Sequence, residues 1–143
     1  MVVNEFRMTI DSKSVNEGFS RAVVAVFTAQ LDPTVEEIND IKTAVSEAVT
    51  NSIVHGYKNT LGKIYINVKI HQDNKVVISI RDKGCGIADI KKAREPLFTT
   101  LGGDRAGLGF SVMESFMDKI TVRSKVGCGT SVTMQKQING RRK

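Results

Sequence analysis

Apolar and polar positions change period several times along this chain, and each change predicts an element. Phe6, Met8 and Ile10 alternate with Arg7 and Thr9, the pattern of a short first strand. The period then lengthens. Val15, Phe19, Ala22, Val23, Val26 and Phe27 recur at helical spacing to about Gln30, and Val24 and Ala25 widen the apolar surface. Ser14 and Glu17 fit a capping box at its start. A helix apolar on more than one side is expected either to be deeply buried or to meet another subunit. A second helical stripe, Ile38, Ile41, Val45, Ala48, Val49 and Ile53, runs to about His55. Two starts suit it: Asp32 as N-cap with Pro33 at N1, or Thr34 as N-cap with Glu37 at N3.

Beyond the turn at residues 59–62, alternation returns. Ile64, Ile66, Val68 and Ile70 form one half-buried strand and Val76, Ile78 and Ile80 the next. The stretch His71-Gln72-Asp73-Asn74 joins them, with His71 expected to be exposed in the turn. A helix from about Leu108 to Lys119 would pack Val112, Met113, Phe116 and Met117. Strands at Ile120–Arg123 and Thr130–Met134 close the chain. This order predicts an α/β (α+β) two-layer sandwich, a mixed but mainly antiparallel sheet with helices on one face. The 143 residues suit a single domain over 1–143, with a basic tail, 138–143, expected to fray. Repeating βαβ units are absent, so the glycines do not mark a Rossmann site. No Gly-Lys-Ser/Thr is present, which excludes a P-loop.

Composition narrows the class only a little. No apolar run approaches the ~18–20 residues of a membrane span, and Met1 to Ile10 lacks a basic flank followed by an apolar core, so no signal peptide is expected there. Cys85 and Cys128 form no metal-ligand pattern, so reduced thiols in a cytoplasm are expected. The net charge of +6 is partly the tail Arg141-Arg142-Lys143 and otherwise scattered. Without a basic helix or an aromatic-basic stripe, it favours acidic partners or polyphosphate ligands over direct nucleic-acid binding.

The candidate chemistry begins at Glu47, Asn51 and His55, spaced i, i+4, i+8. On a helix each step of four advances ~40°, so all three fall within ~80° of arc. An acid, an amide and an imidazole would then share one space, with Gly56 a natural stop. Taken alone, the stretch better suits a solvated polar face with a histidine at a helix C-terminus. Asp82 ends a strand before Gly84 and Gly86. A carboxylate there can accept from an exocyclic amino group while glycine backbone approaches a flat base, though Asp-x-Gly-x-Gly alone also describes a plain turn. Gly107-Leu108-Gly109 before a helix offers free N–H groups to phosphates. Asn51 supplies a neutral oxygen suited to Mg²⁺, and Glu47 could accept a proton.

In this order the segments resemble the Bergerat-type ATP-binding fold shared by gyrase, Hsp90, histidine kinases and MutL. Glu47, Asn51 and His55-Gly56 look like its N box, Asp82 to Gly86 its G1 box, Gly107 to Gly109 its G2 box, and Gly129-Thr130 its G3 position. The stretches Gln30–Thr34, Ser46–Asn51, Pro96–Thr100 and Gly109–Asp118 further resemble the anti-sigma F factors of endospore-forming bacteria. That resemblance implies a homodimeric serine kinase using ATP, yielding ADP, with Mg²⁺. It would hold a sporulation sigma factor inactive and phosphorylate an anti-anti-sigma antagonist. By position it makes Glu47 the base, Asn51 the Mg²⁺ ligand, and Asp82 and Thr130 the adenine contacts. His55, Gly84, Gly86, Thr99 and Thr100 join the nucleotide site. Gly107, Leu108 and Gly109 serve the phosphate lid, Arg105 is aimed at the terminal phosphate, and Arg21 is a partner contact. Two other readings stay open: a switch kinase for a stress sigma factor, and a nucleotide-gated binding module with little catalysis. Retention of Glu47 argues against the module, because binding alone needs no base.

Overall fold

The structure, a computed structural model, describes residues 1–87 and 109–140. The expectations for Thr99, Thr100, Arg105, Gly107 and Leu108, and for the last three basic residues, lie outside the described residues. The order is β1 (Val2–Asp11), α1 (Val15–Thr28), a 3₁₀ turn (Ala29–Leu31), α2 (Val35–Asn51) and a π-helical turn (Ser52–Gly56). There follow β2 (Lys63–His71), β3 (Lys75–Asp82), α3 (Phe110–Phe116), β4 (Lys119–Lys125) and β5 (Gly129–Gln137). The five strands form one sheet in the order β1-β2-β3-β5-β4. Every pairing in it is antiparallel, so the parallel component allowed for from the sequence is not found among the described strands. The β4–β5 hairpin inserts with β5 against β3, which sends β4 to the edge.

The strict alternation of β2 and β3 buries one face of the sheet. Ile64, Ile66, Val68, Ile70, Val76, Ile78 and Ile80 all point into the core, beside Val132 and Met134 of β5. Ile41, Ala44, Val45, Ala48, Val49 and Ile53 of the second helical segment cover them. The other face carries polar residues, among them Arg7, Tyr65, Asn67, Ser79 and Arg81 around an open cleft. Among the described residues no helix is long and apolar enough to cross a membrane.

Of the two possible starts for α2, the structure adopts Thr34. Its hydroxyl accepts from Glu37 N at 3.0 Å, and Glu37 Oε1 accepts from Thr34 N at 2.9 Å, a complete capping box. Asp32 instead closes the preceding 3₁₀ turn with φ 52°. The box expected at Ser14 does not form: Ser14 has helical φ/ψ and makes no side-chain cap bond. Its intended partner, Glu17, turns elsewhere.

Helix α1 also buries a different stripe from the one its apolar pattern suggests. The buried residues are Ser20, Val24 and Thr28, while Val15, Phe19 and Val26 are 74%, 53% and 75% exposed. Small side chains let α1 lie close to its neighbours, and Ser20 Oγ donates to Asn16 O at 2.6 Å within the helix. Phe27 packs edge-on against Phe6 of β1, with ring centroids 4.7 Å apart.

The remaining boundaries shift modestly. Strand β1 starts four residues before Phe6, His71 belongs to β2 and is half-buried, and α3 ends at Phe116. Lys136 of β5 pins that last end: its Nζ donates to Phe116 O at 2.8 Å and meets Asp40 Oδ2 at 3.2 Å. The chain end expected to fray is tied down as far as Gly140. Ile138 is buried, and Asn139 N and Gly140 N donate to Glu37 at 2.8 and 3.2 Å.

Candidate functional site

A pocket opens between α2, the sheet and the start of α3. Its apolar walls are Ala48, Ile80, Ile87, Phe110 and Val132; its polar wall is Asn51, Ser52, His55, Asp82 and Thr130. Four residues from three separate motifs of the sequence, Asn51 and His55 from one and Asp82 and Thr130 from two others, thus meet in one cavity, joined by Gly86.

The second helix does not run unbroken to His55. The α-helix ends at Asn51, and a π turn carries the chain through Ser52–Gly56, with Tyr57 N donating to Ser52 O at 2.8 Å. A π turn rotates less per residue than an α turn and is common at functional sites. It keeps His55 at the cavity while placing the next residues against the strand end. Gly56 ends the turn for a packing reason: a Cβ there would stand 2.9 Å from Asp82 Oδ2.

Asp82 is 4% exposed and stands at the end of β3. Its Oδ1 accepts from Gly84 N at 2.9 Å and Thr130 N at 3.3 Å, and its Oδ2 accepts from Ser52 Oγ at 2.9 Å. A buried carboxylate needs such donors. An sp² oxygen accepts two hydrogen bonds, so Oδ2 retains capacity toward the cavity. An apolar slot with one fixed acceptor fits a flat base bearing an amino group.

The glycines work differently from the expectation that both face a ligand. A Cβ on Gly84 would lie 2.1 Å from Gly56 O, so this glycine lets two backbone segments touch. Gly86 lines the cavity with φ +79°, and its Cβ would meet Lys125 O at 2.3 Å. The Asp82–Gly86 loop is therefore pressed between the π turn and the β4–β5 hairpin.

Glu47 is not part of the pocket lining. It faces Gly109, where a Cβ would stand 2.1 Å from Glu47 Oε1 and where φ is +67°. Burial, and then the charge of Glu17, push its carboxyl above the usual glutamate range. Arg21 is half-exposed and already paired: it donates to Glu17 on its own helix and to Ser46 Oγ at 3.3 Å.

Two serines were missed by the motif reading. Ser52 holds Asp82, and Ser124 Oγ lies 2.9 Å from Thr130 Oγ1 while accepting from Ile87 N at 2.7 Å. The signal for Ser52 was available: a polar residue four positions after Ala48, on the buried stripe. Ser124 carries none, because its partners come from distant segments.

An antiparallel sheet covered by helices on one face, with this cavity at the end of β3, defines a nucleotide-binding domain of the kinase-type ATPases. The histidine kinase-like ATPase domain family matches residues 11–136. An anti-sigma F factor of Thermoanaerobacter sp. (strain X514) is 57% identical over 136 residues, 94% of either chain. One from Caldanaerobacter subterraneus subsp. tengcongensis is 56% identical over 140 residues, 97% of either chain. The chain belongs to the histidine kinase-like ATPase family and, within it, to the anti-sigma F factors.

Solved structures show the same fold. The RsbU and RsbW domains of a Mycobacterium tuberculosis protein superpose with a TM-score of 0.70 at 20% identity, over 95% of this chain and 32% of that one. A blue-light activated histidine kinase domain of Erythrobacter litoralis gives 0.59 at 17%, over 85% of this chain and 61% of that one.

Proposed function

We propose that this protein is both a serine protein kinase and an anti-sigma factor. It holds sigma factor F inactive and transfers the γ-phosphoryl group of Mg-ATP to a serine of an anti-anti-sigma antagonist, acting in the cytoplasm as a homodimer of one kinase domain. The observation that carries this reading is the division between two carboxylates. Asp82 is buried and multiply hydrogen-bonded in an apolar slot, the setting of a base-recognition group. Glu47 lies outside that slot with its proton affinity raised, the setting of a general base.

The steps follow from these positions. Asp82 Oδ2 accepts from the adenine amino group, with Thr130 beside it, and the apolar walls hold the ring. The phosphates extend toward Gly109 at the start of α3; the family resemblance, not a described position, gives Gly107 its part in the lid and Arg105 the terminal phosphate. Glu47 takes the proton of the antagonist serine as its oxygen attacks the γ-phosphorus and the bond to ADP breaks. Bound Mg²⁺ would neutralise phosphate charge, held by the side-chain oxygen of Asn51. Mg²⁺ takes few protein ligands and is held largely by phosphates and water.

Arg21, half-exposed on α1, offers a charged contact to acidic residues of both protein partners. The test is incubation with γ-labelled ATP and the antagonist, alongside capture of the sigma factor. Label on an antagonist serine, and sigma-factor capture that depends on nucleotide, are the expected results. Capture without any label would leave a nucleotide-gated binding module instead.

A further inference from the structure

Glu17 fits the sequence pattern of a helix cap, but the structure gives it other partners. Its carboxylate accepts from Arg21 Nη1 one turn along α1, and it is also hydrogen-bonded to Ser46 of α2. Arg21 reaches the same serine, at 3.3 Å. Ser46 immediately precedes Glu47. The Glu17 side chain is 26% exposed and that of Arg21 is 42%. A cation turned outward and an anion turned inward therefore bridge the contact between α1 and the end of α2 that carries Glu47.

We propose that Glu17 is a positioning residue for phosphoryl transfer, acting through Glu47, and that a protein partner engaging Arg21 acts on the base by the same route. The proposal rests on Glu47 being the base. Burial pushes the Glu17 carboxyl up, but hydrogen bonds from Ser46 and Arg21 and the charge of Arg21 outweigh it, so Glu17 stays ionised. An ionised neighbour makes Glu47 harder to deprotonate and a better proton acceptor. Among the described residues, Glu47 feels the charge of Glu17 from α1, Arg21 pairs with Glu17 and reaches Ser46, the residue before Glu47, and the backbone of Gly109 approaches from the α3 side. Part of the charge of Glu17 is cancelled by Arg21. An acidic partner residue that draws Arg21 away leaves Glu17 less compensated, and Glu47 becomes more basic. The base would then be strongest when a protein substrate is docked.

Two variants with opposite expected shifts test this, in the full chain with saturating ATP and antagonist. Glu17→Gln removes the charge, so the acid limb of the kcat profile moves to lower pH. Its plateau kcat should fall about two- to tenfold, a small part of the ~10²–10⁴ a general base contributes, with KM for ATP unchanged. Arg21→Gln leaves Glu17 uncompensated, so its limb moves to higher pH; this variant carries the test alone should Glu17→Gln fail to fold. A purely structural loss would not move the two limbs in opposite directions. Glu47→Gln is measured alongside. If it retains near wild-type turnover, the base assignment itself fails. If it is inactive while both other variants keep the wild-type limb and change only KM for the antagonist, Glu17 is a docking contact and the proposal is overturned.

Discussion

Replacing Asp82 by Asn is a one-atom change with a calculable consequence. Gly84 N and Thr130 N both point at Oδ1, so the amide oxygen of Asn must stay there. The NH₂ group then takes the place of Oδ2. Ser52 can tolerate this, because a hydroxyl turns from donor to acceptor. The adenine amino group cannot, since donor would face donor. A hydrogen bond to a charged acceptor is worth ~1.5–3 kcal/mol, and a buried unsatisfied donor costs ~1–3 kcal/mol more. The sum, ~2.5–6 kcal/mol, is about 10²–10⁴-fold in affinity. Guanine presents an acceptor oxygen at the same point, so the variant should lose preference for ATP over GTP, which in the wild type we expect to be roughly 10⁴ or more. Titration calorimetry with both nucleotides, on wild type and Asp82→Asn, reads both quantities. Asp82→Ala is the poorer variant, because it also strands the donors of Ser52, Gly84 and Thr130. If Asp82→Asn binds ATP within threefold of wild type, Asp82 is not the adenine acceptor and the pocket has been read in the wrong orientation.

Four further outcomes are expected. Glu47→Ala should lower antagonist phosphorylation by roughly 10²–10⁴-fold with ATP binding retained, and wild-type turnover should fall away on acidification above the ordinary glutamate range, because the base is protonated there. Asn51→Ala should lose the Mg²⁺-dependent part of nucleotide affinity; equal ATP affinity of the wild type with and without Mg²⁺ would contradict this. Arg21→Ala should weaken sigma-factor and antagonist binding about 30-fold or more, the effect of truncating a desolvated interfacial charge pair, with nucleotide affinity unchanged by fluorescence. Thr34→Ala should cost about 1 kcal/mol in chemical denaturation by removing the α2 cap. Burial pushes Glu37 up, but bonds from Thr34, Asn139 and Gly140 hold it below its usual range. Its stabilisation is therefore full above that range and lost as pH falls through the depressed value.

The periodicity of the chain determined most of its elements. Strict alternation in β2 and β3 has a single consistent reading, since a one-residue slip would turn every isoleucine to water. The same holds for the α2 stripe from Ile41 to Ile53, buried as its spacing requires, with Ile38 at its start only half-buried. The candidate motifs could be picked out because each is local: a carboxylate before glycines, an acid and an amide one helical turn apart. Tertiary structure decided what locality could not. Which stripe of α1 is buried depended on what packs against it, and the neighbours accepted Ser20, Val24 and Thr28 in place of the larger apolar residues. Whether Glu17 caps its own helix or binds Arg21 and Ser46 was a competition between a local and a distant partner, and the distant one prevailed. Gly56 and Gly84 are required by the contact each makes with the other's segment, across 28 residues of sequence. The roles of Ser52 and Ser124 exist only because the end of β3, the π turn and the β4–β5 hairpin converge. A sequence shows which side chains can donate or accept; only the folded chain brings a buried acceptor to its donors.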